Sequence, residues 1–236
     1  MMWSYYGAKT NIVKYYPPPK YGKIIEPFAG SARYALKYFD RDILLVDKYD
    51  VIVKIWKWLQ KCSPNDIISL PRFKAGDNID SHHFNCEEEK LFIGFTIGFG
   101  FYEPRKKVSP ALTYRPNRQN FTLKSIASQL WKIKHWEIRL GTFEEIDNVE
   151  ATWFIDPPYQ FGGHAYKHSN KNIDFKILAE WCIDRKGQVI VCENTKATWM
   201  NFSPMVHQDV LTGKHEEAIW TNLKTVWNDN KQLSLI

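Results

Sequence analysis

Short apolar runs alternate with amphipathic stretches at both ends of the chain, and the middle breaks that rhythm. Gly22 to Pro27 reads as a strand running into Glu26-Pro27-Phe28-Ala29-Gly30-Ser31. The apolar positions from Ser31 to Phe39 then predict a helix, with Ser31 as its cap. Ile43 to Val46 is a second strand ending at Asp47, and Val51, Ile52, Ile55 and Leu59 mark one face of a helix over Tyr49 to Lys61. Before these, a short helix near Asn11 to Tyr16 is stopped by Pro17-Pro18-Pro19.

The alternation resumes at Glu137 to Gly141, a short strand followed by Thr142-Phe143. Next comes Thr152-Trp153-Phe154-Ile155-Asp156-Pro157-Pro158-Tyr159, a β-branched and aromatic run that meets an acid, two prolines and a tyrosine. Prolines cannot continue a ladder, so Asp156 and Tyr159 stand on a stiff turn at the carboxyl end of a strand. That end of an open α/β sheet is where ligands bind. Asp174 to Arg185 predicts an amphipathic helix, Gln188 to Cys192 a buried strand, and His207 to Leu211 with Glu217 to Thr221 a terminal hairpin. Strand, glycine turn and helix around Gly30 form a place where a backbone can approach a cofactor closely. Asp47 lies about 20 residues past that turn, the offset at which such folds set a carboxylate on a ribose. It also suits a plain cap for the next helix.

Residues 62–136 give no clean parallel-strand signal. Glu87 to Phe99 predicts a helix, and Leu123, Ile126, Leu130 and Ile133 mark another at helical spacing. The expected organisation is therefore a catalytic core over 1–61 and 137–236, interrupted by an inserted, mainly helical recognition region over 62–136.

Charge sharpens that division. The 236 residues carry a formal net charge of +6, yet nine basic residues between Phe101 and Arg139 face only Glu103 and Glu137, a local +7 that leaves the rest at −1. Arg105, Lys106, Lys107, Arg115, Asn117 and Arg118 are interleaved with Tyr, Phe and Pro, as a nucleic-acid contact surface requires. Arg, Asn and Gln also carry the donor patterns that read guanine and adenine edges. A solvated basic face is the plainer alternative. Cys62, Cys86, Cys182 and Cys192 lack paired zinc or redox spacing and read as free thiols, three of them core-filling. His82, His83 and Cys86 read as a surface loop, so no metal is expected. No apolar run approaches the ~20 residues that span a bilayer, and a cytoplasmic protein of a bacterial or phage-infected cell is expected.

Four segments taken together carry a resemblance: Tyr5-Tyr6-Gly7-Ala8-Lys9, Glu26-Pro27-Phe28-Ala29-Gly30-Ser31, Asp47, and Asp156-Pro157-Pro158-Tyr159. In this order the chain resembles the DPPY class of S-adenosylmethionine-dependent DNA adenine-N6 methyltransferases, the Dam-like and phage-type enzymes. The resemblance implies a Rossmann-like α/β methyltransferase sheet with a C-terminal antiparallel hairpin, S-adenosylmethionine as cofactor and double-stranded DNA as partner. It implies that Tyr5, Gly7 and Lys9 meet the cofactor's methionine end, with Lys9 on its carboxylate. Phe28 and Gly30 would line the cofactor, Asp47 would hold its ribose, and Phe143, by a looser match, would lie against its adenine. Asp156 and the Pro157 carbonyl would accept hydrogen bonds from the target amino group, with Asp156 also bordering the cofactor, and Tyr159 would stack on the flipped base. Gly7-Ala8-Lys9 departs mildly from the Gly-Gly-Lys common in such families, and 62–136 shows no match to a known target-reading region. Cytosine-N4 methylation, RNA adenine methylation and an inert DNA-binding relative stay open as alternatives.

Overall fold

Apolar runs too short for helices pair into one mixed sheet. The computed structural model describes residues 3, 5–210, 213–223, 225–227 and 233–235, with side chains at 3, 5–205 and 217–223. Strands β1 (Lys23–Glu26), β2 (Asp42–Asp47), β3 (Glu137–Leu140), β4 (Ala151–Ile155) and β5 (Gly187–Asn194) are parallel. β6 (Ser203–Val210) and β7 (Gly213–Thr221) form an antiparallel hairpin whose second strand pairs with β5. The sheet order is β3-β2-β1-β4-β5-β7-β6. A short separate ribbon joins β8 (Thr225–Trp227) to β9 (Leu233–Leu235). The expected α/β sheet with its terminal hairpin is therefore present, although Leu211 of the expected hairpin lies outside the described residues.

Alternation along the strands divides the core between two faces. Ile24, Ile43, Leu45 and Phe154 point to one side, and Ile25, Leu44, Val46, Trp153 and Ile155 to the other. β4 is buried at every position, as a central strand covered on both faces must be. Helix α1 (Arg33–Lys37) and helix α2 (Asp50–Lys61) share the first face with α3 (Pro64–Ser69), α4 (Glu87–Thr96) and α5 (Arg118–Ala127). Helix α6 (Phe175–Asp184) covers the second face through Leu178 and Cys182. Residues 62–136 carry α3, α4 and α5 between 3-10 turns and irregular stretches, and share one core with the first sheet face: Ile67, Phe92, Leu123 and Ile126 are fully buried in it.

Local chemistry explains most boundaries. Ser63 and Asp66 form a reciprocal capping box at α3, and Asp174 accepts from the Lys176 and Ile177 amides at α6 (2.9 and 3.2 Å). Two expectations need correction. Ser31 does not cap α1, because Gly30 (φ +44°) and Ala32 (φ +45°) are both left-handed and delay the helix to Arg33. Glu26 supplies the missing acceptor from the end of β1: its Oε1 receives the Ala35 amide at 2.6 Å. Leu123, Ile126, Leu130 and Ile133 do not lie on one helix. The Ser128 hydroxyl and the Gln129 side-chain amide both donate to the Ser125 carbonyl, α5 ends, and a 3-10 turn carries Leu130 to Ile133. All four side chains are still buried, so the spacing encoded burial without a continuous helix.

Burial pushes the Glu26 carboxyl up to about 8; the Ala35 amide works against this and Asp156 adds to it. The folded protein therefore holds a proton that the unfolded chain releases near 4.5. Stability from this group is complete below that value and is lost as pH rises through about 8. Thermal melting from pH 5 to 8 should show a Glu26→Gln variant with a flatter fall in Tm than the wild type. Parallel pH profiles would remove Glu26 as the source.

Candidate active site

The strand order reverses between β1 and β4, whose connections leave toward opposite edges of the sheet. A crevice must open there beyond the carboxyl ends of the strands. The cleft found there holds about 1040 Å³ of empty space, mouth included. All eight residues expected to border a cofactor line it: Tyr5, Gly7, Lys9, Phe28, Gly30, Asp47, Phe143 and Asp156. They come from five separate segments of the chain.

Asp47 ends β2 facing the cleft. Its Oδ2 accepts the Gly30 amide (2.9 Å) and its Oδ1 the Tyr49 amide (2.8 Å). The carboxylate thus fixes the glycine turn as well as helping to start α2. Burial raises its pKa to about 6 against the pull of those two amides. Each oxygen keeps a further lone pair for a hydroxyl donor. Gly30 is needed for its left-handed φ, and a Cβ there would sit 3.2 Å from the Tyr5 ring. Phe143, held in place by the Thr142–Glu145 capping box, packs 5.8 Å from Phe28 on the wall nearest Asp47.

The other end of the cleft is ionic. Lys9 is almost fully buried, with Nζ 2.9 Å from Asp156 Oδ1 and 3.7 Å from Glu217 Oε1. The ammonium also lies 4.6 Å over the Tyr159 ring. Burial alone would lower the lysine pKa; Asp156 and Glu217 outweigh it and hold the ammonium charged well above its usual range. Burial pushes Asp156 up to about 6, with Lys9 opposing and Glu217 adding to the rise. Lys9 is therefore turned onto two protein carboxylates. Tyr159 stands beside the cleft, outside its lining, and donates its hydroxyl to Glu217. Pro157 is buried and also lies outside the lining.

The basic region is less free than its charge count implies. Arg118 donates to the Gly98 carbonyl and stacks 3.8 Å over Phe99. Gln119 is buried, bridging the Phe73 amide and the Thr96 hydroxyl, and so reads no base. Lys134 holds the Gln60 and Cys62 carbonyls (2.5 and 2.7 Å), and Arg139 pairs with Glu137. Lys106 pairs with Asp80 at 3.0 Å yet stays largely exposed. Lys107, Arg115 and Asn117 are exposed. Arg105 lies against Phe101, Tyr102 and Glu103. The Tyr6 amide donates to the Phe101 carbonyl (3.0 Å), so this loop abuts the segment that lines the cleft mouth.

Two residues given no role by the sequence belong to the site. Tyr166 lines the cleft, donates to the Tyr6 carbonyl (3.2 Å) and packs on the rings of Tyr5 and Tyr6. Glu217 gathers Lys9, Tyr159 and Tyr16, the last at 2.5 Å. Neither belongs to a motif. Tyr166 carried a hint in following the proline turn closely, whereas Glu217 had none.

No protein-family model matches this chain, and no curated protein does. Among solved structures, a putative methyltransferase from Escherichia coli aligns with TM-score 0.37 and 11% identity over 84% of this chain and 74% of that one. A conserved hypothetical protein from Streptococcus pyogenes gives 0.37 and 9% over 89% of each chain. A putative methylase from Haemophilus influenzae gives 0.36 and 10% over 86% and 80%. Likeness this distant assigns no substrate. No helix among the described residues is long and apolar enough to cross a membrane. By its strand order, the chain is a mixed α/β protein whose five parallel strands are extended at one edge by the β7-β6 hairpin.

Gly7 has φ +71°, and a Cβ there would overlap the Tyr166 hydroxyl while leaving its ring carbon at 3.5 Å. Gly7→Ala should therefore destabilise the protein by both strain and overlap. In a Tyr166→Phe background only the backbone part should remain, about 1–2 kcal/mol. A double-mutant cycle by thermal melting checks this; additive losses would mean the two residues do not meet.

Proposed function

We propose that this protein transfers a methyl group from S-adenosylmethionine to the N6 amino group of an adenine flipped out of double-stranded DNA. The observation that carries the reading is the convergence in one cleft, at the reversal point of the sheet, of a glycine turn, a strand-end carboxylate and the Asp156 turn. Gly30 offers a close backbone approach, Asp47 keeps lone pairs for paired hydroxyls, and Phe28 with Phe143 gives an apolar wall. These features fit a nucleoside carrying an amino-acid arm.

When bound, the cofactor supplies an electrophilic methyl group on a sulfonium. The protein's part is acceptance and positioning. An adenine amino group is a weak nucleophile because its lone pair is delocalised into the ring. Acceptance of its two N–H bonds by Asp156 and the Pro157 carbonyl would favour the pyramidal nitrogen and stabilise the charge developing on it. Transfer is a direct displacement, so alignment contributes much of the remaining acceleration. Flipping costs a few kcal/mol, which a π-face such as that of Tyr159 partly offsets. The Glu217 carboxylate that fixes the tyrosine hydroxyl keeps that ring still.

Protein, labelled cofactor and duplex DNA should yield N6-methyladenine on digestion to nucleosides. Label in cytosine, label only with RNA, or none at all would each overturn the adenine reading. Asp156→Ala should cut turnover by about 10²–10³-fold, the cost typical of removing one such hydrogen-bond partner, with cofactor binding still measurable by calorimetry. Near-normal turnover would remove Asp156 from the mechanism.

The exposed loop over 105–107 serves this reading as part of the DNA contact surface. Neutralising Arg105, Lys106 and Lys107 should weaken duplex binding and flatten the slope of log K against log salt by about 0.9 for each phosphate no longer neutralised. An unchanged slope would mean that the loop meets no phosphate.

A further inference from the structure

The best-connected acid of the site belongs to none of the motifs. Glu217 lies on β7 opposite Asn194 of β5, more than 200 residues from Lys9. Its Oε1 receives the Tyr16 hydroxyl at 2.5 Å and the Tyr159 hydroxyl, and stands 3.7 Å from the Lys9 ammonium. Tyr16 is itself fixed, buried with its ring edge-on to Phe154 of β4 at 5.0 Å. One oxygen of the carboxylate, Oε1, is therefore shared by the fixed Tyr16, the stacking ring and the lysine.

We propose that Glu217 is a positioning residue for Asp156 and Tyr159, anchoring the tyrosine and serving as a second seat for the Lys9 ammonium. This rests on the methyl-transfer reading. Lys9 donates to Asp156 Oδ1 at 2.9 Å and so competes for one of the two oxygens to which an incoming amino group can donate. A buried ammonium cannot give up its partner unless another charge is near. Glu217 is that charge, less than one ångström farther away than Asp156. When an amino group donates to Asp156, Lys9 moves toward Glu217 and remains paired throughout. No covalent bond changes, and no proton leaves either acid.

The electrostatics give a signature of this arrangement. Asp156 is faced by Lys9 from the N-terminal segment, Glu26 from β1, Tyr159 and Tyr166 from the loop after β4, Cys192 and Glu193 from β5, Tyr16, and Glu217 from β7. Among these, Lys9 lowers the Asp156 pKa and Glu217 raises it, against the larger upward effect of burial. Removing the Glu217 charge takes away one upward influence and leaves Lys9 wholly to Asp156. The protonation midpoint of Asp156 must then fall.

The test is Glu217→Gln, which preserves size and an acceptor oxygen. Carboxyl carbon NMR titration of the cofactor-free protein should show the Asp156 midpoint shifted to lower pH. In the transfer assay kcat should drop about 10–100-fold, the range expected for modest misplacement of reacting groups, with cofactor Kd changed less than twofold and the acidic limb of the kcat profile moved down. An unmoved midpoint, or an unchanged kcat, would overturn the proposal. Should Glu217→Gln not fold, Glu217→Asp keeps the charge but withdraws it by one methylene. It should lose kcat with the midpoint near wild type, and full activity there would equally overturn the proposal. If the wild type transfers no methyl group, the functional reading fails, while the titration still decides whether Glu217 and Lys9 are coupled to Asp156.

Discussion

A buried ammonium has to stay paired, and in this protein that requirement joins the first nine residues to the middle and the end of the chain. Lys9 comes from an N-terminal segment with no strand of its own, Asp156 from the end of β4, and Glu217 from β7. None of the three could be buried alone, since an uncompensated charge in that position costs several kcal/mol. The sheet fixes where the carboxylates stand, and the N-terminal segment must fold over the cleft to bring the cation to them. The same segment is held from the other side by the Tyr6 amide on Phe101 and by Tyr166 on the Tyr6 carbonyl. The mouth of the cleft is thus built by pieces that the ion pair and these backbone contacts hold together.

Glu26 and Asp47 show how the scaffold and the site share their polar groups. Each stands at the carboxyl end of a parallel strand, where a side chain points into the crevice and the next helix begins. Glu26 accepts the amide that an α1 cap would have taken, and Asp47 ties Gly30 to Tyr49. The glycine turn is therefore shaped by a carboxylate from the neighbouring strand as well as by its own freedom of φ. Replacing either acid would disturb geometry and electrostatics together, so activity alone would not separate the two.

The strands and their carboxyl-end residues were legible in the sequence because burial on both faces leaves an unbroken apolar run, and such runs end abruptly at Glu26, Asp47 and Asp156. Residues one strand-end apart in the sheet are read from local pattern in this way. Glu217 was not legible, because nothing around it links it to residues 9, 16 and 159 until β7 inserts between β5 and β6. The α1 cap was misread for a related reason: Ser31 has the right chemistry, but two left-handed residues around it turn its side chain away from that task. In 62–136, counting charge overstated what is available for a partner. Arg118, Lys134 and Gln119 are long polar side chains used to satisfy main-chain carbonyls and amides, a use that composition cannot tell from surface display.

The balance of charge in the cleft bears on what it can hold. Glu26 keeps its proton near neutrality, so its burial adds no charge. Asp47 and Asp156 are raised only to about 6 and are mainly ionised at pH 7. Lys9 pairs with Asp156 and Glu217, while Asp47 takes the Gly30 and Tyr49 amides. The lining also carries Arg33, Lys48 and Lys167 beside Lys9, against Asp47, Glu144 and Asp156, so both signs of charge face a partly dry space where they are screened weakly. Under the methyl-transfer reading, a lining with both signs of charge suits a guest whose amino-acid arm carries an ammonium and a carboxylate together.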